Sequence, residues 1–386
     1  MEKPPKRRIL IVNSSNEGTI AMCTLNLWKT LSEDSGTEVK CIIKHRFPAG
    51  LPEFDNCDFY SDSPPPGGLK NLTSMLSQIR WLRRQKKTFK PDLTISACAS
   101  CSALNILAGG KDRKIGIFLS PLRQARSLGR VPYLYMLAYF NFLFPFLDRL
   151  FCVSKGVRDS ILQSFRQINP SKVSIVYNAH DIGRIRSLAL EEIKDPAEKD
   201  IFSKPVYIYV GRFDANKAPE RAVRALAEAF PGGDEQLVFI GGDAQYSEKV
   251  RAIAVECNVS DRVHILGQKV NPCMYVARSK ALVSCSFSEG LPGVIIEATV
   301  LGIPVISTNS SKGVWEILNC LNDYQPQMHG NHHTAYGIIT PNNLAENENL
   351  RFLAAAMKRP IFTPTPDNPF IQKVTYPSIR QIYINA

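Results

Sequence analysis

Residues 281–309 read ALVSCSFSEGLPGVIIEATVLGIPVISTN. The apolar run from Ala281 to Cys285 is short enough for a buried strand, and Pro304–Thr308 repeats the pattern. Between the two, a loop rich in serine, glycine and proline leads into Gly293–Leu301, which reads as a buried helix. A strand, a helix and a second strand in immediate succession predict parallel pairing.

The same alternation extends in both directions. Upstream lie PVYIYVGR (205–212) with a helix Pro219–Phe230, QLVFIGG (236–242) with a helix Ser247–Asn258, and RVHILG (262–267) with a helix Pro272–Ala277. Downstream a helix is expected over Val314–Leu318. An independent series fills the first half: RILIVN (8–13), EVKCIIK (38–44), DLTIS (92–96), KIGIF (114–118), RLFCVS (149–154) and KVSIVY (172–177), with helices over Thr19–Leu31, Asn71–Phe89 and Ala103–Ala108. Two such series predict an α/β protein of two Rossmann-like, doubly wound domains facing across a cleft, with ligands taken at the carboxyl ends of the strands. A chain of 386 residues also exceeds what one core usually organises. The expected boundaries are 1–177 for the acceptor-side domain, 178–204 for a crossover, 205–360 for the donor domain and 361–386 for a tail packing back on the first domain.

Two segments stand outside this pattern. Asn56–Leu69, with Pro64, Pro65, Pro66, Gly67 and Gly68, reads as a surface loop. Pro132–Leu147 (PYLYMLAYFNFLFPFL) is the most apolar stretch, but Asn141 and Pro145 interrupt it, so a buried or membrane-dipping helix is expected rather than a span.

A net charge of +12 calls for acidic partners. The stretch QIRWLRRQKKTFK (78–90) concentrates Arg80, Arg83, Arg84, Lys86, Lys87 and Lys90 beside Ile79, Trp81, Leu82 and Phe89, which suits either an anionic membrane surface or a solvated basic helix. Nucleic acid is disfavoured because no aromatic recognition module accompanies the charge. RILIVN reads directly as a first strand with no leader pattern before it, and the ten cysteines are scattered through elements, so a cytoplasmic location is expected, peripheral on the inner face of the cell membrane. Cys98 and Cys101 form a C-x-x-C pair without a second pair to complete a zinc site, and are read as two buried thiols. The adjacent His332 and His333 do not easily share one ion. No metal and no cofactor are assigned.

Three strand ends in the second half converge on one ligand chemistry, a nucleotide diphosphate joined to a sugar. Gly211 lets the backbone approach closely, and Arg212 and Lys217 beyond it can share a diphosphate's charge. Gly241-Gly242-Asp243 ends the next strand and is the weaker signal, since packing explains a glycine pair equally well. The third end carries Glu289, then Gly290, Leu291, Gly293 and Val294, whose amides can face phosphate at a helix start, then Glu297, whose carboxylate can accept both hydroxyls of a ribose diol. A first-turn glutamate stabilising its own helix is the plainer account of Glu297, but it does not serve Glu289.

These residues, with the stretches YVGRFDANKAPERAVRALAEAF, FIGGDAQYSEKVRAIA, HILGQ, SCSFSEGLPGVIIEATVLGIPVIST and YGIITP, resemble family-four retaining glycosyltransferases of the GT-B fold, the kind that builds bacterial surface polysaccharide, lipopolysaccharide and glycolipids. VSKGVRDSIL and VSIVYNAHD are weaker matches in the first half. The resemblance implies that Arg212 and Lys217 bind the donor diphosphate, Glu289 contacts the donor sugar, Glu297 binds ribose and Glu316 helps shape the pocket. It also implies a UDP-linked hexose or N-acetylhexosamine as donor, a polyprenyl-linked or lipid-attached glycan as acceptor, and metal-independent transfer with retention. The chain departs from the family twice. The first loop, Asn16-Glu17-Gly18-Thr19, offers Gly18 alone where relatives carry a glycine pair, and Ile117–Pro121 lacks the histidine many relatives place there. Two rival readings follow, a non-catalytic subunit that binds donor or partner enzymes and a sugar-nucleotide epimerase on the same fold. A nicotinamide dehydrogenase lacks its G-x-G-x-x-G after the first strand.

Overall fold

The computed structural model describes residues 5–15, 18–46, 55–61, 69–120, 130–242, 244–359 and 367–386, with backbone alone at 19, 69–73 and 132. Contacts divide the chain into two units, the first reaching His180 and regaining Val374–Ala386, the second running from Asp181 to Lys373.

The first unit is built on β1 (Arg7–Ser15), β2 (Thr37–His45), β3 (Cys57–Ser61), β4 (Leu93–Ala97), β5 (Arg113–Phe118), β6 (Arg149–Cys152) and β7 (Val173–Ile175). They form one sheet in the order β3-β2-β1-β4-β5-β6-β7, and every neighbouring pair is parallel. The second contains β8 (Val206–Gly211), β9 (Gln236–Gly241), β10 (Val263–Ile265), β11 (Ala281–Ser284), β12 (Val305–Thr308), β13 (His332–His333) and β14 (Gly337–Thr340), in the order β10-β9-β8-β11-β12-β14-β13. Only β13 runs antiparallel, at the edge. Strand order therefore reverses between β1 and β4 and again between β8 and β11, and at such switch points open α/β sheets take their ligands.

Helices cover these sheets by their apolar stripes. In Glu220–Ala229, Ala222, Val223, Ala225, Leu226 and Ala229 recur at helical spacing and are buried in the second unit's core with Tyr207, Leu237 and Phe239. Burying side chains as large as Leu226 or Phe239 contributes about 1.5–3 kcal/mol each. The helix ends at Phe230, before Pro231 and Gly232, which cannot extend it.

Several expectations need correction. The segment read as a loop from Asn56 contains β3, which pairs with β2 from Cys57 to Ser61; all five of its residues are half-buried, so no apolar run announced it. Residues 62–68, with the prolines, lie outside the described residues. In the basic helix Leu69–Phe89 the apolar side chains of the basic stretch turn inward, Ile79 and Leu82 belonging to the first core with Trp81 and Phe89 packed against it, whereas Met75 and Leu76 one to two turns earlier are exposed. Lys86, counted there among surface charges, is buried and bonds Asp112 at 2.8 Å. Pro132–Leu147 is not one helix. Arg130–Ala138 passes into a wider turn over Tyr139–Leu143 and a tight one over Phe144–Phe146, where Pro145 removes a backbone donor. Tyr139, Phe140, Phe144 and Leu147 face the core, while Val131, Leu134, Phe142 and Phe146 face outward. No described helix is long and apolar enough to cross a membrane. The stretch expected as a crossover forms helices Ile182–Ala189 and Pro196–Ile201 within the second unit, and of the tail, residues 360–366 lie outside the described residues.

Lys86 is held by Asp112 and the Gly109 carbonyl, and burial lowers its ammonium to about 8. Asp112→Ala leaves that ammonium buried without its counter-ion. It is expected to destabilise the first unit by about 3–5 kcal/mol, measured as a lower urea midpoint for that unit's transition.

Candidate active site

In the second unit β8 ends at Gly211, and the chain turns sharply through Arg212–Ala218. Asp214 Oδ1 accepts the backbone N–H of Asn216 at 3.0 Å and of Lys217 at 2.8 Å, closing the turn. The hydroxyl of the buried Tyr209 donates to the Arg212 carbonyl at 3.1 Å and reaches the Lys217 carbonyl at 3.4 Å, so one phenol pins both ends of the loop. Burial pushes its ionisation far above the ordinary range, which keeps it a donor.

This turn delivers Lys217 Nζ to 2.5 Å from Glu289 Oε1, on the loop that follows β11. Backbone contacts stitch the two loops: Asn216 Nδ2 donates to the Ser288 carbonyl at 2.9 Å, and the Phe287 N–H to the Asn216 carbonyl at 2.7 Å. A third segment joins where the Glu289 N–H meets the Ser310 carbonyl at 3.2 Å. An ammonium has three donors and a carboxylate about four acceptor positions, so one mutual contact leaves both groups able to hold a ligand. Arg212 is more open, its side chain 70% exposed and paired with Asp214 at 3.3 Å.

Gly241 stands beside Gly211 across β8 and β9, and a Cβ there would lie 2.1 Å from the Gly211 carbonyl oxygen. The following Gly242, at φ 86°, lies against the Phe213 ring. Packing thus accounts for the glycine pair; Asp243 lies outside the described residues. Gly290 is buried and its carbonyl abuts Gly313, where a Cβ would approach to 2.3 Å. Leu291 is buried behind it.

The helix Gly293–Val300 opens from Pro292 without a side-chain cap. The positive end of its dipole, with the first-turn amides of Gly293 and Val294, is therefore available to an anion. One turn in stands Glu297. It has no hydrogen bond or ion pair among the described residues, and burial pushes its carboxyl up to about 7. Glu316 is buried in the next helix, Lys312–Ile317.

The sequence reading missed the supports. Arg221, 2% exposed, donates through Nη1 to the Cys285 carbonyl at 3.1 Å and to Asn342 Oδ1 at 2.8 Å, and grips Glu346 with Nε and Nη2 at 2.9 and 3.1 Å. Its guanidinium lies 4.6 Å from the Phe287 ring centre. Asn342 in turn donates to the carbonyls of Ser286 and Phe287. Ser310 and Ser311, flanking the Glu289 loop, carry buried hydroxyls with no partner among the described residues, groups that a polar ligand would satisfy. Their types are too common for any sequence signal to single them out.

The two halves of the chain match two family models, "Glycosyltransferase Family 4" over residues 20–184 and "Glycosyl transferases group 1" over 192–322. The chain belongs to glycosyltransferase family four. It is 26% identical over 287 residues to an uncharacterised glycosyltransferase of Methanocaldococcus jannaschii, covering 70% of each chain. It is 32% identical over 177 residues, 46% of each chain, to the N-acetylgalactosamine-N,N'-diacetylbacillosaminyl-diphospho-undecaprenol 4-alpha-N-acetylgalactosaminyltransferase of Campylobacter jejuni. The match thus spans less than half of that relative. Among solved structures, HepE of Anabaena, in complex with UDP and glucose, superimposes with a TM-score of 0.69 at 14% identity over 98% of both chains, a likeness of fold that makes this a GT-B protein.

In this glycosyltransferase the second unit brings Lys217, Glu289, Gly290 and Gly211 into one cluster of loops. Gly18 belongs to the first unit, where it opens the helix Gly18–Ser32 at φ 72°. Its neighbours Asn16 and Glu17 lie outside the described residues, as does Pro121 beyond Ile117–Ser120. The first unit has a small cavity of about 20 Å³, bordered by Cys23, Thr24, Ala97, Ile117, Asn178 and Tyr383. Among the described residues no three histidine, cysteine or acidic side chains are grouped to hold a metal ion.

Glu297 makes stability depend on pH in a defined direction. Its carboxyl titrates near 7 when folded and near 4.5 when unfolded, so between those values the folded state holds a proton the unfolded chain has released, and stability falls as pH rises. Glu297→Gln should match the wild-type melting temperature near pH 4.5 and exceed it progressively up to about pH 7, as read by thermal denaturation.

Proposed function

We propose that this glycosyltransferase moves a hexose or N-acetylhexosamine from a UDP-linked donor to a polyprenyl-linked or lipid-attached glycan, with retention and without a metal ion. The observation that carries the reading is the contrast within one acidic pair. Glu289 is engaged by Lys217, whereas Glu297, beyond seven intervening residues, keeps a desolvated carboxyl group with no partner among the described residues. A desolvated carboxylate without a counter-charge is costly to a fold, and hydroxyls of a bound ligand relieve that cost.

Glu297 accepts the two ribose hydroxyls through its two oxygens. Lys217, Arg212 and the helix start at Gly293 share the diphosphate charge, and the free oxygen of Glu289 takes a hydroxyl of the sugar. As the bond from the anomeric carbon to the diphosphate breaks, the acceptor oxygen bonds the same face of that carbon and its proton passes to the departing phosphate oxygen. The charge that grows on the phosphate meets donors already in place, and such preorganisation is commonly the largest catalytic contribution. The UDP assignment is supported by the nucleotide held in HepE, and the acceptor class by the diphospho-undecaprenol acceptor named for the Campylobacter relative. A membrane-side acceptor also suits the outward Val131, Leu134, Phe142 and Phe146, 61–78% exposed on the first unit, which would rest at the bilayer interface on the cytoplasmic face.

A thermal-shift panel of sugar nucleotides tests the donor directly, since a ligand that binds the folded state raises its melting temperature. A UDP-sugar should give the largest shift, and Glu297→Ala should abolish it. Lys217→Ala should lower kcat by about 10²-fold, as loss of a charge-stabilising donor does elsewhere. Equal turnover by wild type and Glu297→Ala would remove the site assignment. Transfer should persist in excess chelator, and complete loss there with recovery on adding manganese contradicts the proposed charge stabilisation.

A further inference from the structure

We infer that Cys98 and Cys101 form a redox-active dithiol at the carboxyl edge of the first sheet, which a peroxide oxidises to an internal disulfide. The donor site lies in the second unit, so this inference stands apart from the proposed transfer reaction.

Cys98 joins the end of β4 to the ten-residue helix Ala99–Ala108, and Cys101 is the third residue of that helix. Cys98 is the last residue before that helix, and its carbonyl accepts the Ser102 N–H at 3.0 Å. Its φ of 131° is one that side-chain-bearing residues rarely adopt, and such backbones concentrate where function demands them. Cys101, one turn on, is sealed in the core with Leu10, Val12 and Ile42, whereas Cys98 is half-buried. Of the two thiols expected to be buried, Cys101 is fully enclosed and Cys98 is half-buried.

Cys101 follows Cys98 by three residues, and the Cys98 sulfur meets Ser100 Oγ between them at 3.2 Å. The other groups facing the pair are Lys44 on β2, Tyr135 and Tyr139 above it, and Cys41, which neighbours Cys101 and pairs with Cys57 across β2 and β3. Tyr135 also donates to the Ala99 carbonyl at 3.4 Å. The outcome is asymmetric. The Cys101 hydrogen bond, above the opposing burial, draws Cys98 down to about 6, and the same contact with burial drives Cys101 up. Cys98, half-buried, is thus drawn toward the thiolate at neutral pH while Cys101 stays a protonated thiol beside it, the arrangement in which a nucleophile is followed by a resolving partner. Three residues apart on one helical turn, they are within the span of a disulfide.

The chemistry balances with hydrogen peroxide as oxidant. The Cys98 thiolate attacks one peroxide oxygen, the O–O bond breaks and hydroxide leaves, giving a sulfenic acid. Cys101 then attacks the Cys98 sulfur, its proton leaving with the displaced hydroxide as water. Two thiols and one peroxide become one disulfide and two waters, the sulfurs losing the two electrons that the peroxide gains. The bond ties the first helical turn beside the β1–β4 reversal, the kind of edge at which open α/β sheets take ligands.

Peroxide treatment of the full chain at pH 7, followed by peptide mass mapping, reads the result. The tryptic peptide Thr88–Lys111, which contains both residues, should lose two hydrogens, and dithiothreitol should restore them. Limiting iodoacetamide should label Cys98 ahead of the other cysteines. Cys101→Ser should yield no disulfide and a Cys98 sulfenic acid trapped by dimedone, and Cys98→Ser should leave Cys101 unreactive. The inference is overturned if Thr88–Lys111 keeps both thiols in the wild-type protein, if Cys41 and Cys57 pair instead, or if Cys98→Ser oxidises Cys101 at the wild-type rate.

Discussion

The guanidinium of Arg221 bears the weight of the second unit's ligand edge. A parallel strand ends by releasing its carbonyls from the sheet, and the chain leaving β11 must find other donors before it can carry a charged residue in a fixed place. Arg221 supplies them from beneath, bonding the Cys285 carbonyl, stacking on Phe287 and recruiting Asn342 to the carbonyls of Ser286 and Phe287. Its own charge is met by the two oxygens of Glu346. A buried guanidinium is tolerated only when it is paired and its donors are used, and this one spends them on holding a loop in register. Glu289 hangs from that loop, and Lys217 reaches it because Tyr209 and Asp214 hold the neighbouring turn.

The two units share a sheet order and differ in what they place at the same edge. In the second, charges are ion-paired or left waiting: Lys217 on Glu289, Arg212 on Asp214, Glu297 alone. In the first, the described residues at the corresponding switch point include thiols, Tyr135 and a small cavity. One architecture thus serves two chemistries, because the sheet sets where strand ends converge and only the loops decide what they present.

Much of this was legible from neighbouring residues alone. Strands buried on both faces announce themselves as unbroken apolar runs, and those from β1 to β12 were found that way except β3. That strand sits half-buried at an edge, where a mixed composition suffices. The basic helix was misjudged for a related reason. Composition lists Ile79, Leu82 and Lys86 without their angles, and the first two turn inward as a core stripe while the lysine follows them because Asp112 waits there. At the site, Glu289 and Glu297 were visible because a single stretch carries both. Arg221 and Asn342 were not, since their partners lie 55 to 125 positions away in the chain.

By itself the sequence determined the alternation of strands and helices, hence two parallel sheets, along with the glycines and acidic pair of the donor loops. These depend on local backbone preference and on periodicity, which adjacent residues encode. Tertiary structure alone decided which charges are paired, that Glu297 is desolvated with no partner among the described residues, and that of two cysteines in one motif Cys98 is half-buried while Cys101 is sealed. Ionisation and reactivity depend on which groups arrive from distant segments and on how much water they exclude, and neither is a property of neighbours in the chain.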